Sequence, residues 1–195
     1  MPKLLIVRHG QSEWNALGRW QGQADPPLTN LGESQARKAI QKLGLFDSIV
    51  SSPLQRAKNT ASIISELMGV GPVVTESGLM ERDAGPWQGL TRIEIENDWP
   101  GFLASGKRPD GYESNPDLLF RVFEVLKKIS ESSEPSDSIL VISHAGIVHA
   151  LEDLHDQPSM KVPNLGGRWV EFVNGDLKMG KRVSLVVEES MPDLL

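Results

Sequence analysis

Two short apolar runs constrain the fold more than any other feature of this chain. Lys3 to Val7 is nearly continuous in apolar residues and halts at Arg8-His9-Gly10, and Ser138 to Ser143 halts at His144. Runs this short, without polar alternation, suit strands covered on both faces, as in parallel sheets. Each therefore delivers a histidine to a strand end. The chain between them supplies covering helices. Asn30 to Leu43 carries Leu31, Ala36, Ala39, Ile40 and Leu43 at helical spacing, with Thr29 or Asn30 as N-cap and Gly44 as terminator. Ser48 to Ser51 reads as a second buried strand, and Ser52-Pro53 predicts a capped helix start. Leu54, Ala57, Ala61, Ile64 and Met68 follow at steps of three and four, up to Gly69.

A third short strand is predicted at Pro72 to Thr75. The region from Glu76 to Asn115, rich in Gly, Pro and Trp, is a long excursion of the kind that usually serves function, with a short helix after Thr91. Asn115-Pro116 opens a helix carrying Leu119, Val122, Phe123, Leu126 and Ile129, and another helix spans Gly146 to Leu154. Arg168 to Val173, the turn pair Asn174-Gly175 and Asp176 to Lys178 signal a hairpin, with Arg182 to Glu188 as a further strand and Met191 to Leu195 as a frayed tail. Strands alternating with amphipathic helices predict an α/β three-layer sandwich. Its mostly parallel sheet is flanked by helices and ends in antiparallel strands near the C-terminus. Residues 1–195 are expected to form a single domain.

The net charge of −6 opposes binding to nucleic acid, so an anionic ligand needs a local basic pocket. The chain has no cysteine, which excludes disulfides, thiolate chemistry and Cys-based metal centres. No apolar stretch has membrane-spanning length, and the N-terminal run is too short for a signal peptide. A cytoplasmic protein without membrane partners is expected.

In open α/β sheets, ligands bind beyond the carboxyl ends of the strands. Here those positions hold Arg8 and His9, Arg56 at the start of the second helix, Glu81 after the third strand, and His144. Two arginines, two histidines and a carboxylate at one rim could supply what phosphoryl transfer requires: a nucleophile, fixed positive charge, and an acid for the leaving oxygen. A cation at a helix start is electrostatically disfavoured, and a bound phosphate would relieve that conflict at Arg56.

These residues lie in motifs that resemble the histidine phosphatase superfamily, also called the phosphoglycerate mutase-like family. The resemblance runs through Arg8 to Asn15 (RHGQSEWN), Gln21-Gly22, the Leu-Thr-x-Leu-Gly pattern ending at Gly32, Ser51-Ser52-Pro53 with Arg56-Ala57, Glu81 before Gly85-x-Trp87-x-Gly89, and Ser143-His144-Ala145-Gly146. It implies that His9 becomes a phosphohistidine, that Arg8, Arg56 and His144 bind the transferred group, and that Glu81 donates the proton. It also implies Asn15 as a phosphate contact and Gln21 and Gly22 as substrate contacts. The chain departs from the pattern at Ala145, where the family usually has Gly. It also carries Arg82-Asp83-Ala84-Gly85 where the family's mutases show Arg-His-Tyr-Gly, which favours a phosphatase acting on a small phosphorylated metabolite.

No cofactor or metal is expected, because the histidines lack the i, i+4 pairing of a helical zinc motif. His149 and His155 are expected to pack or face solvent. Trp20 and Trp87 are placed near the pocket, Asp83 is the next candidate acid after Glu81, and Lys107 and Arg108 could hold a second anionic group of the substrate. The alternatives are a cofactor-dependent phosphoglycerate mutase and, from another class, a non-catalytic phospholigand-binding module. A homodimer is permitted by an antiparallel edge strand.

Overall fold

A computed structural model of the protein describes residues 1–158 and 160–186. Its sheet contains β1 (Lys3–Arg8), β2 (Ser48–Ser51), β3 (Val74–Thr75), β4 (Ser138–Ser143), β5 (Gly166–Val173) and β6 (Asp176–Ser184). The strand order is β3-β2-β4-β1-β5-β6. The first four of these neighbours pair in parallel, and β5 and β6 join antiparallel. The helices are α1 (Glu13–Ala16), α2 (Asn30–Ala39), α3 (Gln55–Met68), α4 (Arg92–Asp98), α5 (Phe102–Ser105), α6 (Asn115–Glu131) and α7 (Ala145–Leu154).

The two apolar runs lie side by side at the centre of the sheet. Their register matches Val7 with Ile142 and Arg8 with Ser143, so His9 and His144 emerge together. Because successive strand side chains point to opposite faces, each run fills two cores. Leu5, Val7, Leu140 and Ile142 pack with Ala36, Ala39, Ala57, Ala61 and Ile64 of α2 and α3. Leu4, Ile6, Ile139 and Val141 pack with Leu118, Val122 and Leu126 of α6 and with Ile147 and Leu151 of α7. Each fully buried Leu or Ile stabilises this arrangement by roughly 1.5–3 kcal/mol. The three layers and the mixed sheet agree with the predicted fold class.

Several boundaries differ. Thr29 caps α2 by accepting from the Gly32 N–H at 3.0 Å, but the helix ends at Ala39 and a turn continues to Lys42. Ser52 does not cap α3: Leu54 stands at that position, and Asp25 Oδ1 instead accepts from the Gln55 N–H at 2.6 Å. That carboxylate also relieves the electrostatic conflict at Arg56 without a bound phosphate. β3 has two residues rather than four. β6 runs unbroken through Arg182, with a register shift opposite Arg168 to Val170, so no separate strand begins at Arg182. The far end of that predicted strand, Val187 and Glu188, and the Met191 to Leu195 tail lie outside the described residues.

One ionic cluster ties the last elements together. Glu152 on α7 is completely buried and accepts from Arg168 Nη1 at 2.9 Å and from Arg182 Nε at 2.7 Å. Arg182 also donates to the carbonyls of Met160 at 2.6 Å and Lys161 at 3.3 Å. Burial pushes the Glu152 carboxyl up, yet the hydrogen bonds from Arg182 and Arg168 outweigh it and leave the group below its ordinary range. Glu152→Ala strands two arginines, one of them largely buried, and is expected to destabilise the protein by about 3–5 kcal/mol in urea unfolding. The folded-state pKa lies below the unfolded one. The wild-type advantage is therefore full above pH 4.5 and closes as pH falls through the folded value.

Candidate functional site

His9 follows β1 and is 2% exposed. Its Nδ1 lies 2.6 Å from the Gly10 carbonyl, which can only accept, so Nδ1 carries the proton and Nε2 presents its lone pair. Arg56 Nε donates to that lone pair at 3.2 Å. Burial first, then the charges of Arg56 and Arg8, push the imidazole well below its ordinary pKa and keep it neutral.

Arg56, in the first turn of α3, is completely buried. Its Nη1 and Nη2 donate to the carbonyls of Ala24 at 2.7 Å and Gly22 at 2.8 Å. Burial lowers its pKa to about 10, which still leaves it a cation at neutral pH. Arg8 ends β1 and donates to the Val162 carbonyl at 2.8 Å. His144 follows β4 with its ring edge-on to that of His9, the centroids 5.2 Å apart. Its Nε2 lies 2.9 Å from the Ser52 hydroxyl, the use the fold makes of that serine, and its Nδ1 is enclosed without a partner. Burial, then Arg56 and His9, carry His144 well below its ordinary range as well.

Glu81 sits on the loop after β3, half-buried. Its Oε1 accepts from the Arg82 N–H at 2.7 Å and its Oε2 from the Gly146 N–H at 3.1 Å, in the first turn of α7 where an anion is favoured. Any side chain at position 146 would collide with this carboxylate. Asn15 closes a capping box with Ser12 and leaves its Nδ2 enclosed and unpartnered. Gln21 Oε1 accepts from the Ser12 hydroxyl at 2.6 Å. Gly22 has a φ of 51°, and a Cβ there would meet Ala84 and Gln88.

A cavity of about 280 Å³ opens over these groups, lined by Arg8, His9, Gln21, Gly22 and Glu81. Arg56, His144 and Asn15 stand behind that lining. Trp20 lines it too, while Trp87 is buried behind Trp20 at a ring separation of 5.1 Å. Lys107 and Arg108, which could have held a second anionic group, do not line it: the Arg108 guanidinium lies over the rings of Trp87 and Tyr112 at 5.2 and 5.4 Å. The outer cations are Arg82, Arg92 and Lys161. Asp83 is turned away, its Oδ1 accepting from the Gly85 N–H at 2.8 Å. His155 is a packing residue, as expected, but His149 lines the cavity.

Asn164 was not anticipated. Buried, it donates from Nδ2 to the His9 carbonyl at 2.9 Å and to Asn15 Oδ1 at 3.3 Å, joining two segments that no local pattern connects. Among the described residues no group of three or more His, Cys, Asp or Glu could hold a metal ion, and no helix is long and apolar enough to cross a membrane.

The environment of His9 predicts a neutral ring with the proton on Nδ1 at pH 6, read from ¹⁵N chemical shifts; a charged ring there would contradict it. A folded-state pKa below the unfolded 6.5 means that unfolded chains take up protons first. The stability contribution of His9 is thus full above pH 6.5 and falls as pH drops toward the folded value.

Residues 4–173 match the model of the histidine phosphatase superfamily, branch 1. The chain is 34% identical over 180 residues to glucosyl-3-phosphoglycerate phosphatase of Mycobacterium tuberculosis, covering 85% of this chain and 80% of that one. It is 42% identical over 161 residues to the 2,3-bisphosphoglycerate-dependent phosphoglycerate mutase of Bartonella quintana, covering 76% and 78%. The solved mycobacterial glucosyl-3-phosphoglycerate phosphatase in complex with VO3 shares the fold at a TM-score of 0.81 and 29% identity, covering 91% of this chain and 96% of that one. With two histidines at neighbouring strand ends, a buried arginine bonded to the first of them and a family match over most of its length, the chain belongs to the histidine phosphatase superfamily, branch 1.

Proposed function

We propose that this phosphoric monoester hydrolase is a metal-independent cytoplasmic phosphatase for small metabolites, working through a phosphohistidine at His9 with Glu81 as proton donor. The observation that carries the reading is the state of His9: its proton is held by the Gly10 carbonyl, and its Nε2 lone pair faces a fixed cation. In the first step Nε2 attacks phosphorus, the bond from phosphorus to the ester oxygen breaks, and Glu81 protonates that oxygen to release an alcohol. Arg56 shifts its Nε–H from the lone pair to a phosphoryl oxygen as the nucleophile engages. Arg8 and the unpartnered Asn15 Nδ2 complete the anion site with His144, whose Nε2 accepts from the Ser52 hydroxyl and whose Nδ1 then carries the proton. In the second step water attacks the phosphohistidine, Glu81 takes its proton, and inorganic phosphate leaves as the phosphorus–nitrogen bond breaks.

Binding of VO3 by the mycobacterial relative supports an oxyanion site in the same fold. Phosphatases named for glucosyl-3-phosphoglycerate and for phosphoserine among the relatives support small substrates, and the cations Arg82 and Arg92 favour those with a second anionic group. The similarity to the Bartonella enzyme favours a second reading, mutase activity. Ala84 and Asp83 in place of the mutase residues oppose it. Incubation with 3-phosphoglycerate, with and without a bisphosphoglycerate primer, separates isomerisation from phosphate release.

His9→Ala is expected to abolish turnover while the fold survives. Wild-type protein quenched in EDTA should carry acid-labile, base-stable phosphate; label on a serine or an aspartate would overturn the mechanism. Glu81→Gln should slow the first step by about two to four orders of magnitude on a sugar phosphate. The loss should be much smaller on an activated aryl phosphate, whose leaving oxygen departs as a stabilised anion. Equal losses on both would make Glu81 a structural residue of the pocket.

A further inference from the structure

Two histidines lie outside the strand ends, and they differ in kind. His155 is fully engaged, its ring nitrogens 2.8 Å from the Leu151 carbonyl and 2.9 Å from the Leu177 carbonyl. His149 has no hydrogen-bond partner among the described residues, and its Nδ1 is enclosed. It lies three residues beyond Gly146, on the same face of α7, and lines the cavity with Glu81, Gly146 and Val162. None of the proposed steps uses it.

An enclosed N–H without an acceptor is rarer than an enclosed lone pair without a donor, so the proton belongs on Nε2. The charged groups around the ring are Glu152 and Asp153 on its own helix, Glu81 from the loop after β3, and Arg182 from β6. Burial is the largest influence on it and carries the imidazole below its ordinary range. At neutral pH the ring is an uncharged donor in the cavity wall. In the proposed reaction the phosphoryl group is fixed at His9 and its leaving oxygen faces Glu81, whose carboxylate accepts from the Gly146 N–H. His149 sits about 4.5 Å further along the helix axis, within the span of a two- or three-carbon skeleton.

We propose that His149 is a specificity-determining residue that donates its Nε2–H to an oxygen on the leaving group. It thereby selects phosphomonoesters whose carbon next to the esterified one carries a hydroxyl or a carboxylate oxygen. This rests on the phosphatase reading of the same cavity. A histidine present only for packing would have its nitrogens tied to the protein, as His155 does.

The test compares wild type, His149→Leu and His149→Gln on glycerol 1-phosphate, phosphoglycolate and ethyl phosphate, the last having neither oxygen. Leucine removes the donor, and glutamine keeps an amide donor near the place of Nε2. The quantity read is kcat/KM for each oxygen-bearing ester divided by that for ethyl phosphate. His149→Leu should lower this ratio by about ten- to a hundredfold for at least one ester. The change should fall chiefly in KM, because the bond is made alike in ground and transition states, and His149→Gln should recover most of it. Selective loss on glycerol 1-phosphate identifies a hydroxyl acceptor, and selective loss on phosphoglycolate a carboxylate; either supports the proposal. Unchanged ratios, whether from equal losses or from none, overturn it. Wild type that turns over ethyl phosphate with an unaltered ratio in His149→Leu refutes this role alone. Wild type that hydrolyses neither oxygen-bearing ester overturns this proposal alone, and wild type that also carries no acid-labile, base-stable phosphate refutes the phosphatase reading with it.

Discussion

The buried guanidinium of Arg56 is the interaction on which the site depends. A cation this deep persists only if it is well hydrogen-bonded, and here each nitrogen of the planar head has a partner: Gly22 O, Ala24 O and His9 Nε2. The same bonds close the loop of residues 22–24 against α3 and aim the charge at His9. Its position near a helix start would be unfavourable without the Asp25 carboxylate at the Gln55 N–H. One residue thus couples a loop wall, a helix terminus and the protonation state of the neighbouring imidazole.

The sheet sets where these groups meet, and polar bonds behind it set how they point. Parallel pairing of β1 with β4 puts two histidines at adjacent strand ends, a placement that backbone hydrogen bonding enforces without any side-chain contact. Orientation then comes from elsewhere in the chain. Ser12, Asn15, Gln21 and Asn164 form one hydrogen-bonded group beneath His9, and Glu152 with Arg182 holds the segment that carries Lys161 and Val162. Because Arg8 donates to the Val162 carbonyl, the ionic cluster beside the C-terminal strands reaches the Arg8 side of the cavity through two bonds.

The outer part of the cavity is of a different character. Trp20, Trp87, Trp99 and Tyr112 pack edge to face, and the guanidiniums of Arg82 and Arg108 lie over these rings. This aromatic body gives the long excursion an interior of its own, with Ile95 of α4 buried in it. A rigid wall of this kind lets exposed Arg92 and half-buried His149 face the cavity without the loop collapsing onto them.

The strands, the helices over them, the strand-end residues Arg8, His9 and His144, and Arg56 at the start of α3 were legible in the sequence, because apolar run length and helical spacing are local properties. A short unbroken apolar run forces burial on both faces, and the residue that follows it must emerge at the rim. The motif resemblance added Glu81, Asn15, Gln21 and Gly22. The sequence by itself therefore determined the layered fold and which of its residues gather at the inner end of the cavity. Tertiary structure decided which cations of the excursion face the cavity, since Arg108 is drawn onto aromatic rings that assemble only when distant segments meet. It likewise decided that Asp25 rather than Ser52 accepts from the first N–H of α3, that Asn164 supports His9, and that His149 lines the cavity while His155 is consumed by carbonyls. In each case the deciding partner lies in a segment that local patterning does not connect, and only the folded chain brings the two within hydrogen-bonding distance.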